Sequence, residues 1–313
     1  MKRVAFLFPG QGSQAVGMGK ALYNEHSDVR ALFHQADQLL EKELTKLMFE
    51  GPENELTETE NAQPALLLSG IAVQKLLQKE SVRPVMAAGH SLGEYSALVA
   101  AGAMSFEEAL PLVATRGKLM EEAFPKGKGT MAAVLGMSQG DIEQTLEQLN
   151  DDQVVDIANL NCPGQIVISG SKEGIDAAAG LLKENGAKRV LPLNVSGPFH
   201  SRLMKPANEQ YAKELDRITF SHNEFPVYAN VTAEPVTDKN SVKELLIRQL
   251  YSPVRFEESI RHMLDEGIDA FVELGTGKVL SGLVRKIDRK TKTFAVQDPD
   301  SLKKFLTWYK GGS

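Results

Sequence analysis

The stretch Val85-Met86-Ala87-Ala88-Gly89-His90-Ser91-Leu92-Gly93-Glu94-Tyr95-Ser96-Ala97-Leu98-Val99-Ala100-Ala101-Gly102 sets an apolar strand before a Gly-His-Ser-Leu-Gly turn and a helical run after it. A strand, a glycine-flanked serine and an immediate helix are the context of a nucleophile elbow. The sharp turn lifts the Ser91 hydroxyl clear of a sheet, and the glycines let the chain pass itself closely. The helix start, at about Leu92, offers unpaired N–H groups to a developing oxyanion. A Gly-x-Ser-x-Gly string by itself is a weak signal, because both residue types are common in loops. Its strand-to-helix setting makes Ser91 a candidate nucleophile. The plainer alternative is an ordinary turn in which Ser91 caps the helix.

The same alternation extends in both directions. Residues 3–8 form a short apolar strand, and Pro9-Gly10-Gln11-Gly12-Ser13-Gln14 a loop. Helical patterns follow at about 28–44, 64–80 (with Pro64 at a first-turn position), 91–102 and 105–123. Strands recur near 227–230, 269–274 and 292–297. Strands alternating with helices predict an α/β fold, with an α/β-hydrolase-like parallel sheet covered on both faces. Residues 129–194 differ. They read strand, helix, strand (131–135, 141–149, 154–160) and then repeat that order (165–169, 173–185, 188–193), with Ser138 and Ser171 placed to cap the helices. Two such units predict a small ferredoxin-like α+β domain, residues 128–195, inserted into a large domain formed by 1–127 and 196–310. The cleft between the two is the natural substrate site. Gly311-Gly312-Ser313 reads as a linker-like tail.

Composition narrows the function classes. One cysteine in 313 residues excludes an internal disulfide framework and points to a reducing compartment. The apolar run after Met1-Lys2-Arg3 is stopped by Pro9 and Gly10, too soon for a secretory leader, and no later segment approaches a membrane span. A net charge of −6 argues against nucleic acid as a partner. The expectation is a cytoplasmic protein, with a monomer as the default state.

A serine nucleophile needs a base. His26, His34, His222 and His262 lie in polar, helical or loop surroundings that suit exposed histidines. His90 adjoins the nucleophile and is expected to pack or hydrogen-bond under the turn. His200, in Val195-Ser196-Gly197-Pro198-Phe199-His200-Ser201, follows a strand in a constrained segment and is the candidate base. No acid between Ser91 and His200 stands at the end of a large-domain strand, so the group orienting the imidazole is expected to be neutral, an amide or a backbone carbonyl.

Other motifs weaken on inspection. Gly10-Gln11-Gly12-Ser13-Gln14-Ala15 fits a dinucleotide fingerprint but lacks the second strand and its acidic end, since 28–44 reads as helix. Gly275-Thr276-Gly277-Lys278 resembles a P-loop ending, yet Val272 and Val279 occupy the positions of the first Gly and the Ser/Thr. Cys162, in Asn161-Cys162-Pro163, has no histidine nearby and reads as a buried thiol. Arg285-Lys286-Ile287-Asp288-Arg289-Lys290 reads as a solvated helix face, or as a basic patch for an acidic partner.

Phe8-Pro9-Gly10-Gln11-Gly12-Ser13-Gln14, Gly89-His90-Ser91-Leu92-Gly93-Glu94 and Gly197-Pro198-Phe199-His200-Ser201 occur in that order. Together they resemble the malonyl-CoA:acyl carrier protein transacylases of fatty-acid synthesis. Asn61-Ala62-Gln63-Pro64-Ala65, Asn161-Cys162-Pro163-Gly164-Gln165 and Glu273-Leu274-Gly275-Thr276-Gly277-Lys278 also look like segments of that family, so the resemblance spans nearly the whole chain. It implies that Ser91 is acylated by malonyl-CoA and that His200 acts as base and then acid. The backbone N–H groups of Gln11 and Leu92 would form the oxyanion hole. Arg116, in Ala114-Thr115-Arg116-Gly117, would clamp the malonyl carboxylate, and Gln249 would orient His200 through a carbonyl oxygen. Gln63 and Asn161 would line the pocket, and Phe199 would sit at the donor's α-carbon. Cys162 departs from the family, whose members often carry Ser there.

The residue types suit that chemistry, since guanidinium matches a carboxylate with a planar donor fork whereas Lys is a point charge. Without the resemblance, Arg116 reads as a helix-surface arginine. The implied acceptor is the phosphopantetheine thiol of acyl carrier protein, a transient electrostatic partner, and passage through one serine ester implies ping-pong kinetics. No metal and no permanently bound cofactor are expected. Two other functions remain open from sequence: a serine hydrolase or thioesterase with water as acceptor, and a non-catalytic acyl-binding module. Arg116 and the neutral orienting group disfavour the first, and the joint presence of Ser91 and His200 the second.

Overall fold

The computed structural model describes residues 2–311; Met1, Gly312 and Ser313, and with them most of the expected tail, lie outside the described residues. The strands are β1 (Val4–Phe8), β2 (Met86–Gly89), β3 (Gly129–Leu135), β4 (Val155–Cys162), β5 (Gln165–Ser171), β6 (Arg189–Pro192), β7 (Val227–Tyr228), β8 (Pro235–Val236), β9 (Ala270–Leu274) and β10 (Lys292–Val296). They form a six-stranded sheet in the order β10-β9-β1-β2-β7-β8 and a separate four-stranded sheet in the order β4-β5-β3-β6. The fold is thus mixed α/β.

Central strand β1 shows why the large sheet forms. Each of its five residues, Val-Ala-Phe-Leu-Phe, is buried, as a strand covered on both faces requires. Side chains alternate across the sheet: Val4, Phe6 and Phe8 join the core with Leu66 and Val73 of the helix Thr59–Lys79, while Ala5 and Leu7 meet Phe256, Phe271 and Leu283 on the other face. Pro9, which has no N–H to donate, ends the strand. The pairings β1–β2, β1–β9, β9–β10 and β2–β7 are parallel. The expected parallel sheet carries one exception, because edge strand β8 runs antiparallel to β7. The reversal between them, closed by Ala229 N–H to Glu234 O at 3.0 Å, is far too short for a parallel crossover.

Two helix expectations are also corrected. The pattern at 28–44 is two helices, Ser27–Leu40 and Leu44–Glu50, because Glu41 turns into the left-handed region (φ 50°) and ends the first. Pro64 lies inside the helix Thr59–Lys79, past its first turn. The helix starts earlier than the sequence pattern suggested, since its first turn carries little apolar signal.

In the small sheet every neighbouring pair is antiparallel. Ala132 and Val134 of β3 face the sheet's own helices, packing with Ile142, Ile168, Ala178 and Leu182, while Met131 and Ala133 face the large core. The hydroxyls of Ser138 and Ser171 accept from the N–H groups of Asp141 and Gly174 at 3.2 and 3.1 Å, the caps expected from sequence. Strand β4 docks on the large sheet's flank through Leu160 N–H to Val254 O (2.9 Å) and Val254 N–H to Ala158 O (2.8 Å). Among the described residues no helix is long and apolar enough to cross a membrane.

The register Phe8↔Gly89 sends the loop after β1 and the turn after β2 out side by side at the carboxyl ends of adjacent parallel strands. That crevice is where open α/β sheets bind ligands.

Candidate active site

The turn after β2 is too tight for side chains at its flanks. A Cβ on Gly89 would fall 1.8 Å from the Gly93 carbonyl carbon, and one on Gly93 would fall 1.9 Å from Phe8 O. Between them Ser91 is held at φ 51°, a conformation L-residues rarely adopt and one that costs energy. Its main-chain N–H donates to Asn230 Oδ1 at 2.8 Å, so the backbone is clamped while the side chain points outward. The hydroxyl does not cap the helix Leu92–Ala100. It reaches His200 Nε2 at 2.8 Å instead, which overturns the ordinary-turn reading.

His200 is 4% exposed and has a positive φ of 60°. Its Nδ1 lies 2.8 Å from the main-chain carbonyl of Gln249. A carbonyl only accepts, so Nδ1 carries the proton and Nε2 presents its lone pair to the serine hydroxyl. Burial, reinforced by the charge of Arg116, lowers the imidazole pKa to about 3, which keeps the ring neutral.

Arg116 lies within the helix Phe106–Glu122 and is 1% exposed, against the surface position its sequence context suggests. Nη1 donates to Gln63 Oε1 at 2.8 Å, and Nη2 donates to Gln249 Oε1 at 2.9 Å and to Ser91 Oγ at 3.1 Å. The guanidinium stands over the Tyr95 ring, 5.2 Å from its centroid, and Tyr95 in turn accepts from the Tyr211 hydroxyl at 2.5 Å. Every hydrogen-bond acceptor on Arg116 is neutral, and Nε has no partner among the described residues. The nearby Glu94 carboxyl feels its charge but makes no direct pair with it, and a buried cation with no anion in contact is costly, so this one is prepared to receive an anionic group.

A cavity of about 130 Å³ lies over these groups, walled by Gln11, Gln63, Leu92, Met120, Met131 and Phe199 together with Ser91, Arg116 and His200. Gln11, Thr57, Asn194 and Val195 also line a wider cleft of about 560 Å³ beside it. The N–H groups of Gln11 and Leu92 have no acceptor among the described residues. Two unpaired donors at the mouth of the elbow suit a developing oxyanion.

A family profile described as "Acyl transferase domain" matches residues 5–296. A Bacillus subtilis (strain 168) protein named malonyl CoA-acyl carrier protein transacylase is 54% identical over 303 residues, 96% of each chain. This chain belongs to the malonyl-CoA:acyl carrier protein transacylase family. The crystal structure of an acyl carrier protein S-malonyltransferase from Vibrio cholerae superposes with a TM-score of 0.94 at 43% identity, covering 97% of this chain and 99% of that one. A malonyl-transacylase solved with a type II polyketide acyl-carrier protein gives 0.95 at 41% identity over 97% and 99% of the two chains.

Against the family pattern, the structure brings Ser91, His200, Arg116, Gln11, Leu92, Gln63 and Phe199 to one cavity. Gln249 is fully buried beside them and meets His200 through its main-chain oxygen, not its side chain. Asn161 needs a correction. It stands behind His90, whose Nε2 donates to Asn161 Oδ1 at 2.8 Å, and Asn159 lines the cavity instead. Strand β4 pairs irregularly with β5, shifting register after Ile157 and again after Leu160, and such bulges re-aim side chains. His90 does make the expected bond beneath the turn, although its ring also borders the cavity. Cys162 is buried among Met86, Tyr228 and Phe256, as a structural thiol would be.

Asn230 and Glu94 were not singled out from sequence. Asn230 Nδ2 donates to Gly89 O at 2.6 Å, and its N–H donates to Glu94 Oε2 at 2.9 Å. Glu94 is 3% exposed, and burial raises its pKa to about 7 against the pull of those donors. A polar residue at the carboxyl end of the strand predicted at 227–230 was the available signal for Asn230. Glu94 closes the Gly89–Glu94 motif, but an acid in the first turn of a helix is ordinary and marked no role for it.

Proposed function

We propose that this chain moves a malonyl group from malonyl-CoA to the phosphopantetheine thiol of acyl carrier protein through a malonyl-Ser91 ester. One observation carries the reading: a single hydroxyl, Ser91 Oγ, lies 2.8 Å from a neutral imidazole and 3.1 Å from an anion-seeking guanidinium.

In the first half-reaction His200 Nε2 takes the serine proton as Oγ attacks the thioester carbonyl. The charge formed on oxygen falls to the N–H groups of Gln11 and Leu92, which are already oriented and need no reorganisation. Coenzyme A leaves as its thiol, receiving the proton from His200. The malonyl carboxylate is only two bonds from the attacked carbon, so it stays within reach of Arg116. Charge-assisted bonds from a guanidinium are about twice as strong as neutral ones. In the second half-reaction His200 deprotonates the carrier's thiol, the thiolate attacks the ester, and the proton returns to Ser91. Donor and acceptor share the thiol end of a pantetheine arm, so the cleft beside the cavity serves each in turn. Side chains, two main-chain N–H groups and the two thiols supply every step.

Residues 128–195 are read as a ferredoxin-like unit inserted into the large one, whose parts are 1–127 and 196–310. The strand–helix–strand repeat and the order β4-β5-β3-β6 support this, and the site lies where the units meet. A hydrolase reading has less support, since a buried cation beside the nucleophile selects a carboxyl-bearing acyl group and water needs none.

Mass spectrometry tests the proposal. Mixing with malonyl-CoA is expected to add one malonyl group, which holo-carrier then removes as malonyl-carrier. Ser91→Ala is expected to show no adduct and to lose about 10⁶ in turnover, as for serine nucleophiles elsewhere. An adduct surviving in Ser91→Ala, or release to water faster than to the carrier, overturns it.

A further inference from the structure

The buried amide of Gln249 sits in a nearly saturated polar shell. Its oxygen accepts from Arg116 Nη2 at 2.9 Å. Its Nε2 faces three oxygens: Glu94 Oε2 at 2.7 Å, Ser91 O at 3.1 Å and Asn230 Oδ1 at 3.2 Å. An amide nitrogen has two hydrogens to share among these acceptors, and the shortest contact is to the carboxylate. Turned over, the amide would set its oxygen against three oxygens and its NH₂ against the guanidinium. Ser91 O and Asn230 Oδ1 are constrained by the elbow, since Asn230 Oδ1 already takes the Ser91 N–H. Glu94 is the strong acceptor in the shell, and its Oε2 also holds the Asn230 N–H.

We propose that Glu94 is a positioning residue for donor selectivity, locking the Gln249 amide so that its oxygen faces Arg116. With the oxygen there, Nη2 is shared between Gln249 and Ser91 Oγ, and the guanidinium is aimed at the nucleophile. The amide also spaces Glu94 from Arg116, and no salt bridge joins them among the described residues. The acceptor that fixes the geometry therefore makes no direct pair with the guanidinium, which stays open to the donor. The effect of Glu94 runs through Gln249 to Arg116, so it bears on a carboxylate-bearing acyl group and spares an uncharged one. This inference rests on the malonyl-transfer reading.

The experiment compares kcat/KM for malonyl-CoA and acetyl-CoA in wild type, Glu94→Ala, Glu94→Met and Glu94→Gln, with melting temperature recorded for each. Met keeps the length of the side chain without an acceptor, whereas Gln retains one carbonyl oxygen. Glu94→Ala and Glu94→Met are expected to lose about tenfold with malonyl-CoA and under about threefold with acetyl-CoA. Glu94→Gln is expected to keep the wild-type ratio of the two donors. Gln249→Ala should show the same selective loss, and adding Glu94→Met to it should change the ratio no further. Parallel losses with both donors in a folded Glu94→Met protein overturn the proposal, as does full additivity of the two changes. If the Ala and Met variants do not fold, a Glu94→Gln protein that loses selectivity, or a Gln249→Ala protein that does not, overturns it equally. Wild type that forms no malonyl ester would sink the malonyl-transfer reading itself, a result separable from the others.

Discussion

His200 Nδ1 is held 2.8 Å from the main-chain oxygen of Gln249, so a neutral dipole occupies the place that many serine enzymes give to a carboxylate. The carbonyl fixes the tautomer but adds no full negative charge to favour an imidazolium. With Arg116 adding positive potential nearby, the ring stays neutral far below the usual histidine range.

Acylation is therefore expected to resist acid. The profile of kcat/KM for malonyl-CoA in Glu94→Gln, which lacks the carboxyl that titrates near 7, should be flat from about pH 8 to about pH 5, because it reports the free enzyme's groups and His200 titrates near 3. Stopped-flow acylation across that range checks this. A one-proton acid limb near pH 6.5 would show that the base is not the buried imidazole described.

The same shift makes stability depend on pH. Below about 6.5 the unfolded chain's imidazole takes up a proton that the folded one refuses until about 3, so stability is lost as pH falls through that window. Glu94 opposes this, since its raised pKa makes folded protein less stable as pH rises from 4.5 to about 7. Urea unfolding of His200→Ala should thus show a shallower acid-side decline than wild type between pH 6.5 and 4. An unchanged decline would mean the shift at His200 is small.

Arg116→Ala is expected to weaken malonyl-CoA selectively, while acetyl-CoA is used no worse. A charge-assisted pair contributes about 1.5–3 kcal/mol, or about ten- to a hundredfold in the ratio of the two donors. Equal losses for both donors in steady-state assays would assign Arg116 to structure, through its contacts with Gln63, Gln249 and Tyr95.

Phe199 is 5% exposed and lines the cavity beside His200. A ring beside the donor's α-carbon would leave no room for a methyl there, and overpacking costs typically about 1–3 kcal/mol. Strong preference for malonyl-CoA over methylmalonyl-CoA is expected, relaxed in Phe199→Ser. The ring also packs in the large core, so a parallel fall in kcat/KM for both donors would leave it an anchor of the His200 loop only.

Asn230→Ala should uncouple the elbow from β7. The variant strips partners from the Ser91 N–H and Gly89 O, and each buried polar group left unpaired costs about 1–3 kcal/mol. A lower melting temperature with slower acylation, unrelieved by saturating malonyl-CoA, is the expected pair of results. Normal acylation in this variant would show that the strained turn at Ser91 holds itself.

Much of this molecule is written in short-range signals. The elbow is legible because an apolar run, two glycines and a helix start are neighbours in the chain, and their backbone preferences act over a few residues. The small sheet is legible for the same reason, its alternation and caps repeating within 129–194. Ser91 and His200 could be named because few residue types do their chemistry. Arg116 was different, since a helical arginine reads as solvated until the helix Thr59–Lys79 and Tyr95 are packed around it.

The sequence alone determined the candidate nucleophile, the strand-to-helix turn that presents it and the main alternation of strands and helices, all of which follow from local sterics and the period of apolar residues. Only the tertiary structure decided that Gln249, Asn230, Glu94 and Arg116 meet behind Ser91. Gln249 and Asn230 stand 158 and 139 positions from Ser91, and they reach it because β7 pairs beside β2 and the helix Lys239–Gln249 ends at the same crevice. Strand order is set by the burial of the whole sheet, a long-range balance that no window of sequence contains. The strand irregularity that turned Asn159 into the cavity in place of Asn161 was settled in the same way.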